Sequence, residues 1–434
     1  LSDEYVDALR LLYEDIPDSA DYVMYWWDRG ASLARAGHLR GFGLITTNSI
    51  TQTFARRIVA KHLDAKDDPL SVTFAIPDHP WVDSADGAAV RIAMTAARGG
   101  REPGSLVTVT EEAAGNDDGD TAVSVCIESR RGRVLPSLTV GANVGSVVPL
   151  QANAGLCWQG CKLVGEHFRV SPDKARGWVE KSAANTAFLR RYWVGNDLTK
   201  QPTERYVVDF FGLSEHEAQA QSPALYQHLI DFVLPERRHN KDKGFRERWW
   251  LFGRPRPELR QANDGLFRYL ATSEVSKYRT FSFLKWPEDL IDGGVVAVCD
   301  SDPWAHGVLN SRVHASWCLS VGGTLEDRPR YNIGACFDPF PFPAATDSQQ
   351  QKIRELGEAL DAHRKKQQGA HPGLTITAMY NVLEKLRMGE ALTAKEKKIH
   401  DDGLVSVLKK IHDDLDAAVF DAYGWRSEEH TSEL

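Results

Sequence analysis

The 434-residue sequence contains no uninterrupted apolar run of about 18 residues, so no membrane-spanning helix is expected. Its opening shows no secretory leader: Leu1 is followed at once by acidic residues instead of a basic and then an apolar stretch. A cytoplasmic location is the expectation that follows. The opening residue is also not Met, so a trimmed or truncated frame is expected. Cysteine is scarce. Cys126, Cys157, Cys161, Cys299, Cys318 and Cys336 do not form the two close pairs that a structural zinc site uses. Cys157 and Cys161, with His167 nearby, make one loose pair, and the expectation is reduced thiols in cores with no metal. An excess of basic charge is missing too. The formal net charge of −8 argues against a chain that coats nucleic acid indiscriminately, but leaves room for Lys and Arg gathered on one face.

What is present is a globular composition, 42% hydrophobic and 26% charged, over a length that suits two or three domains. Residues 22–36 read as a helix with an aromatic cluster on more than one face, capped at Asp18 or Ser19 and stopped by Gly37. GFGLITT (41–47) reads as a short buried strand. Ser49-x-x-Gln52 fits a capping box opening a helix to about Leu63. Strands are expected at 70–76 and in AAVRIAMTAA, separated by the loop IPDHPWVDSADG. LVTVTEE and AVSVCIESRRGRV read as further strands, with AGNDDGDTA as an exposed turn between them. Helix, strand, helix, strand is the order of an α/β layer structure. The long loop stands where ligands tend to sit in open α/β sheets. Residues 149–345 alternate short strands, loops and a few helices. From Ser348 to Tyr423 helical periodicity takes over, broken by Pro372-Gly373, with a second capping box at Thr393-x-x-Glu396.

Eight segments now stand in order: DYVMYWWDRG, GFGLITTNSITQTFARR, HPWVDSADGAAVRIAM, ERYVVDFFG, VLPERRHNKDKGFRERWWLFGRPRPELR, VSKYRTF, GGTLEDRPRYN and CFDPFPFP. Together they resemble the MmeI-like class of bacterial DNA methyltransferases, restriction–modification proteins with methylase and target-recognition region in one polypeptide. The resemblance implies a Rossmann-like domain that binds S-adenosylmethionine and methylates the exocyclic amino group of adenine in double-stranded DNA. The base must be flipped, because the stacked, paired duplex hides that group. The family's Gly-rich cofactor turn and its catalytic Asn-Pro-Pro-Tyr or Phe are both missing from this sequence. CFDPFPFP lacks the Asn and lies at the wrong end. By resemblance the chain starts just after the catalytic tetrapeptide and is expected to be inactive alone. The family's nuclease segment, where present, lies further upstream.

Asn48 follows the strand that, by resemblance, borders the target-base pocket; it either contacts the base or simply turns the chain before a helix. Ser49 and Gln52 are expected to serve the helix cap. Trp81 lies where related amino-methyltransferases carry an aromatic that stacks on the flipped base; it either stacks or anchors its loop. Asp83 and Asp86 read as turn formers. The strongest local signal for DNA is 236–260. Arg237, Arg238, Lys241, Lys243, Arg246, Arg248, Arg254, Arg256 and Arg260 against four acids leave it net +5, with Trp249, Trp250 and Phe252 interleaved. Cations there neutralise phosphates or reach guanine edges, or else form a solvated surface over core tryptophans. Lys277, Tyr278 and Arg279 extend the idea, as do Arg312, Arg328, Arg330 and Tyr331, whereas His314 reads as structural. CFDPFPFP (336–343) is expected to be a stiff extended strap.

The expected fold is therefore α/β, the C-terminal half of a Rossmann-like methyltransferase domain at 1–147. An α+β target-recognition domain follows at 148–345, then a helical C-terminal segment at 346–425. The tail 426–434, RSEEHTSEL, resembles a translated sequencing adapter and is left out of the fold. The expected parent function is site-specific transfer of a methyl group from S-adenosylmethionine to adenine. The alternative is a non-catalytic DNA-binding specificity protein or subunit.

Overall fold

A computed structural model describes residues 3–80, 90–113, 124–141, 147–325 and 328–425. The chain divides into two compact units, Leu1–Val147 and Val148–Leu434. It is a mixed α/β protein with several sheets and a helical C-terminus. Among the described residues no helix is long and apolar enough to cross a membrane.

The first unit runs α1 (Asp3–Leu12), α2 (Val23–Arg35), β1 (Phe42–Thr47), α3 (Thr53–Leu63), β2 (Leu70–Pro80), β3 (Arg91–Gly99), β4 (Gly104–Ala113) and β5 (Ser124–Gly132). The strands lie in the order β1-β3-β2-β4-β5, antiparallel except for β2 beside β4. Helix α2 turns Met24, Trp27, Ala31 and Ala34 inward at helical spacing. They pack with Ile58 and Val59 of α3 against Val72, Ala75, Ala93 and Ala97 of the sheet. The aromatic cluster is divided between core and water: Trp27 is fully buried and its indole donates to Thr95 Oγ1 at 3.2 Å, whereas Trp26 is exposed. Gly104 permits the β2–β4 approach, since a Cβ there would lie 2.2 Å from the Val72 carbonyl oxygen.

The expected caps of this unit do not form. Helix α2 starts after Tyr22 with no side-chain cap. A 3-10 turn, Asn48–Thr51, precedes α3, and Gln52 at its N-cap makes no side-chain cap bond. The Ser49 hydroxyl donates instead to Asp21 Oδ2 at 2.6 Å, a tertiary partner that the local spacing could not reveal. The residues of AGNDDGDTA lie outside the described residues.

In the second unit, Ser282–Lys285, Arg268–Ser273, Val295–Val298 and Cys157–Gln159 form an antiparallel sheet in that order. A second sheet holds Asp289–Ile291, Leu189–Trp193, Tyr206–Val208 and Arg169–Val170, its first pair parallel. A small antiparallel ladder joins Gly323–Leu325 to Arg328–Arg330. The helices Asp347–Ala370, Ile376–Met388, Ala394–Gly403 and Val405–Ala422 complete the unit. Here the capping-box reading is right: Thr393 N donates to Glu396 Oε2 at 2.9 Å and Glu396 N to Thr393 Oγ1 at 3.4 Å. The segment 336–343, expected to be extended throughout, instead begins in a π-helix, Ile333–Phe337, and a turn; Asn153 fixes it there, its Nδ2 donating to the carbonyls of Phe337, Asp338 and Phe340.

The helix Asp347–Ala370 finishes one edge of the first sheet. Asp361 Oδ1 accepts from Phe283 N at 3.3 Å, Lys365 Nζ donates to Phe283 O at 2.7 Å, and Arg364 Nη1 donates to Phe281 O at 3.0 Å. Side chains thus serve backbone groups that a neighbouring strand would otherwise serve.

Candidate nucleic-acid interface

In the first unit the register sets Thr47 opposite Ile92 and Pro80 opposite Arg91, so the end of β1 meets the end of β2 and the start of β3. Asn48 sits at that end, and its Nδ2 donates to Asp78 Oδ1 at 3.1 Å. Arg91 Nε donates to the same oxygen at 2.5 Å, a bond that raises the guanidinium above its ordinary value. Thr47 and Ser49 donate to Asp21 Oδ2 at 2.5 and 2.6 Å. The Asn48 amide is therefore engaged in tying β1 to β2, as a turn residue would be. Trp81, Asp83 and Asp86 lie outside the described residues.

The basic run in the second unit divides in two. Arg238, Lys241, Lys243, Arg246, Arg248 and Arg254 are exposed. Asp242 caps the short helix Lys243–Glu247, and the Arg246 Nη1 donates to the carbonyls of Asn240 and Lys241 at 2.7 and 3.0 Å. Arg237, expected at the surface, is fully buried. Its Nη2 donates to Leu163 O at 2.8 Å and Leu251 O at 3.1 Å, and its guanidinium lies 5.5 Å from the Phe168 ring and 5.0 Å from that of Phe245. Burial lowers its pKa. Arg256 is half-buried and donates to Gly160 O and to Gln159 Oε1, which also makes it a scaffold residue. Arg260 pairs with Asp209 at 2.8 Å. Trp249, Trp250 and Phe252 belong to the core, with the two indoles donating to Glu215 Oε1 and Leu213 O.

Of the outlying candidates, Lys277 is exposed and donates to Asn381 Oδ1 at 2.8 Å. Arg279 is half-buried and donates to Thr272 Oγ1 and the Ser273 carbonyl. Arg312 is held by Asp416 at 3.1 Å. Tyr331 and His314 are fully buried, and the ring of His314 meets the Tyr331 hydroxyl at 3.1 Å. Arg328 and Arg330 are exposed on the small ladder, and Arg330 Nε and Nη2 both donate to Glu274 Oε1, at 2.9 and 2.7 Å.

Arg330 opens onto a cleft of about 660 Å3 that sequence reasoning did not find. Lys162, Glu166, Arg169, Glu274 and Asp292 also line it. Gly160 lets two chain segments meet beneath it, because a Cβ there would lie 2.2 Å from the Asp292 carbonyl oxygen. Asp292 is held by the Tyr192 hydroxyl at 2.9 Å and by Gly294 N at 2.9 Å. Burial and then the Asp292 carboxylate push the Tyr192 phenol up, so it stays a donor. The available sequence signal is QGCKLVGEHFRV, in which only Cys161 and His167 draw notice, as metal ligands, and not Lys162, Glu166 or Arg169. Among the described residues no group of His, Cys, Asp or Glu could hold a metal, and the Cys161 thiol donates to Pro255 O.

Comparison with known proteins agrees with the resemblance read from the sequence. Residues 157–344 match the family model described as MmeI, target recognition domain. The chain is 22% identical over 374 residues to DNA methyltransferase A of Bacillus subtilis (strain 168), covering 83% of this chain and 39% of that protein. Its fold is similar to the type IIL restriction-modification enzyme MmeI, solved in complex with DNA. The TM-score is 0.70 at 18% identity, covering 98% of this chain and 53% of the other. The chain thus spans about half the length of these relatives, or less.

Proposed function

We propose, from the premise that residues 157–344 match the MmeI target recognition domain, that this chain selects a specific duplex DNA sequence for a restriction–modification methyltransferase. That match carries the reading, and the exposed cations between Arg238 and Arg254 support it, since they can neutralise phosphates. We read the first unit as the second half of a Rossmann-like methyltransferase domain, with Asn48 and Trp81 as candidates at the base pocket. The complete activity is then transfer of a methyl group from S-adenosylmethionine to the exocyclic amino group of adenine.

The residues present do not fit the cofactor. No Gly-rich turn follows a first strand, and no Asn-Pro-Pro-Tyr or Phe occurs. The first unit has a cavity of about 450 Å3, but Leu63, Leu70, Gly100 and Arg133 line it, at the end of the sheet opposite Asn48. The same observation favours a narrower reading for the chain by itself, DNA specificity without catalysis.

The test is selection of duplexes from a randomised pool by the chain. Enrichment of one short motif is expected. Binding without sequence preference, or no binding, contradicts the proposal.

A further inference from the structure

The basic run and the cleft differ in the kind of partner their charges suit. The exposed part of the run from 236 to 260 carries six cations, Arg238, Lys241, Lys243, Arg246, Arg248 and Arg254, against four carboxylates, Glu236, Asp242, Glu247 and Glu258. The cleft carries three cations, Lys162, Arg169 and Arg330, and three carboxylates, Glu166, Glu274 and Asp292. Phosphate is repelled by carboxylates and gains nothing from a wall of zero net charge. A base edge is different, because it presents donors and acceptors side by side. Guanine offers O6 and N7 to a guanidinium, while cytosine and adenine offer amino groups to a carboxylate. Mixed polarity therefore suits base edges, and a positive surplus suits phosphate.

Within the cleft the two arginines are in different states. Arg330 is engaged by Glu274 through two of its nitrogens. Among the described residues the Arg169 guanidinium makes no hydrogen bond, yet it is oriented. Its Nη2 lies 3.8 Å from Asp292 Oδ2 and its centre lies 5.6 Å from the Tyr192 ring. Tyr192 is almost completely buried and Asp292 is fixed by two hydrogen bonds, so both supports are rigid. Arg169 itself projects from the edge strand Arg169–Val170, with its side chain 46% exposed. A planar donor that lies beside a fixed carboxylate and an aromatic face, half-exposed and with its hydrogens unused, is available to a bidentate acceptor.

We propose that Arg169 is a specificity-determining residue that reads a guanine edge, and that the Glu274–Asp292 cleft is the base-reading site. The inference rests on the target-recognition reading above. The probes are duplexes that the unsubstituted full chain enriches from a randomised pool, and a scrambled duplex of the same length. Arg169→Lys keeps the charge and loses the fork. It is expected to lower affinity for the enriched duplex about 10- to 100-fold, as loss of one bidentate base contact does. Affinity for the scrambled duplex and the salt slope are expected to stay unchanged. In a repeated selection, preference for G·C should disappear at one position while the rest of the motif persists. Equal weakening on both duplexes with Arg169→Ala, together with a shallower salt slope, makes Arg169 a phosphate contact and overturns the assignment. So does an unchanged motif with Arg169→Lys. If the unsubstituted chain enriches no motif, target recognition itself fails and this inference fails with it.

Discussion

Arg237 and Arg246 belong to one basic run, yet water reaches only the second. Charge density along the sequence was legible; its division between core and surface was not. The run is broken into the short helices Leu234–Arg238 and Lys243–Glu247, so no periodicity is long enough to reveal an inward face. Two tests separate the classes. Arg237→Ala takes the side-chain donor from the Leu251 carbonyl and one of two donors from the Leu163 carbonyl, which keeps Gly253 N, and it empties a fully buried site; it is expected to cost about 2–4 kcal/mol in urea unfolding, with DNA affinity following only through folding. Arg246→Ala with Arg248→Ala is expected to leave the urea midpoint in place and weaken all duplexes alike. The opposite pattern contradicts the assignment of both. A third residue-scale expectation concerns imidazoles. Burial holds His306 down to about 4 and His314 down to about 3, below an ordinary value of about 6.5. Between those limits the unfolded chain binds protons that the folded chain refuses. Their contribution to stability is therefore full above about pH 6.5 and declines as pH falls toward 4. Asp300 and Asp416, pushed up by burial, act in the opposite sense at the acid end, so the comparison must be a difference. Urea midpoints of the native chain should fall between about pH 7 and pH 4.5 more steeply than those of His306→Gln. Equal slopes would show that His306 is not a buried neutral imidazole.

At the scale of elements, the sequence revealed periodicity better than it revealed partners. The four C-terminal helices and the strands of the first unit stand where their patterns put them, because both signals lie within one window of chain, but β1, expected to be buried, is an edge strand in which Thr46 alone is buried. Ser49 and Thr393 carry the same spacing to a polar partner, but only Thr393 closes a box. Ser49 has Asp21 within reach through the fold, and that charged acceptor wins over the local cap. The role of the helix Asp347–Ala370 was equally hidden. It reads as a separate helical segment, but Asp361, Arg364 and Lys365 occupy the edge of the strand Ser282–Lys285, and Ile353 and Leu360 are fully buried. A chain ending at residue 345 would bare that edge and that apolar face, and exposed edges associate. It is expected to elute as aggregate in size-exclusion chromatography. A monodisperse, DNA-binding product would show the helices to be dispensable.

For the whole molecule, a net charge of −8 and the proposed duplex partner are compatible only if binding is local. The exposed cations between Arg238 and Arg254 supply the local field, and the neutral cleft supplies none. Affinity should then fall with salt at a slope set by the few phosphates touched, about −0.9 for each. Removing Arg246 and Arg248 together should make that slope shallower by about 2 units. Catalysis must be judged on the same molecule. What a methyltransferase needs first, a cofactor turn and a catalytic Asn-Pro-Pro-Tyr or Phe, is missing from the sequence, and the cavity of the first unit lies away from Asn48. The Asn48 amide nitrogen is engaged by Asp78. The chain, given labelled S-adenosylmethionine and a duplex carrying its enriched motif, is therefore expected to bind the DNA and transfer no methyl group. Label that enters the enriched duplex and spares the scrambled one would show that the residues present suffice for transfer, and that the division between recognition and chemistry drawn for this chain is wrong.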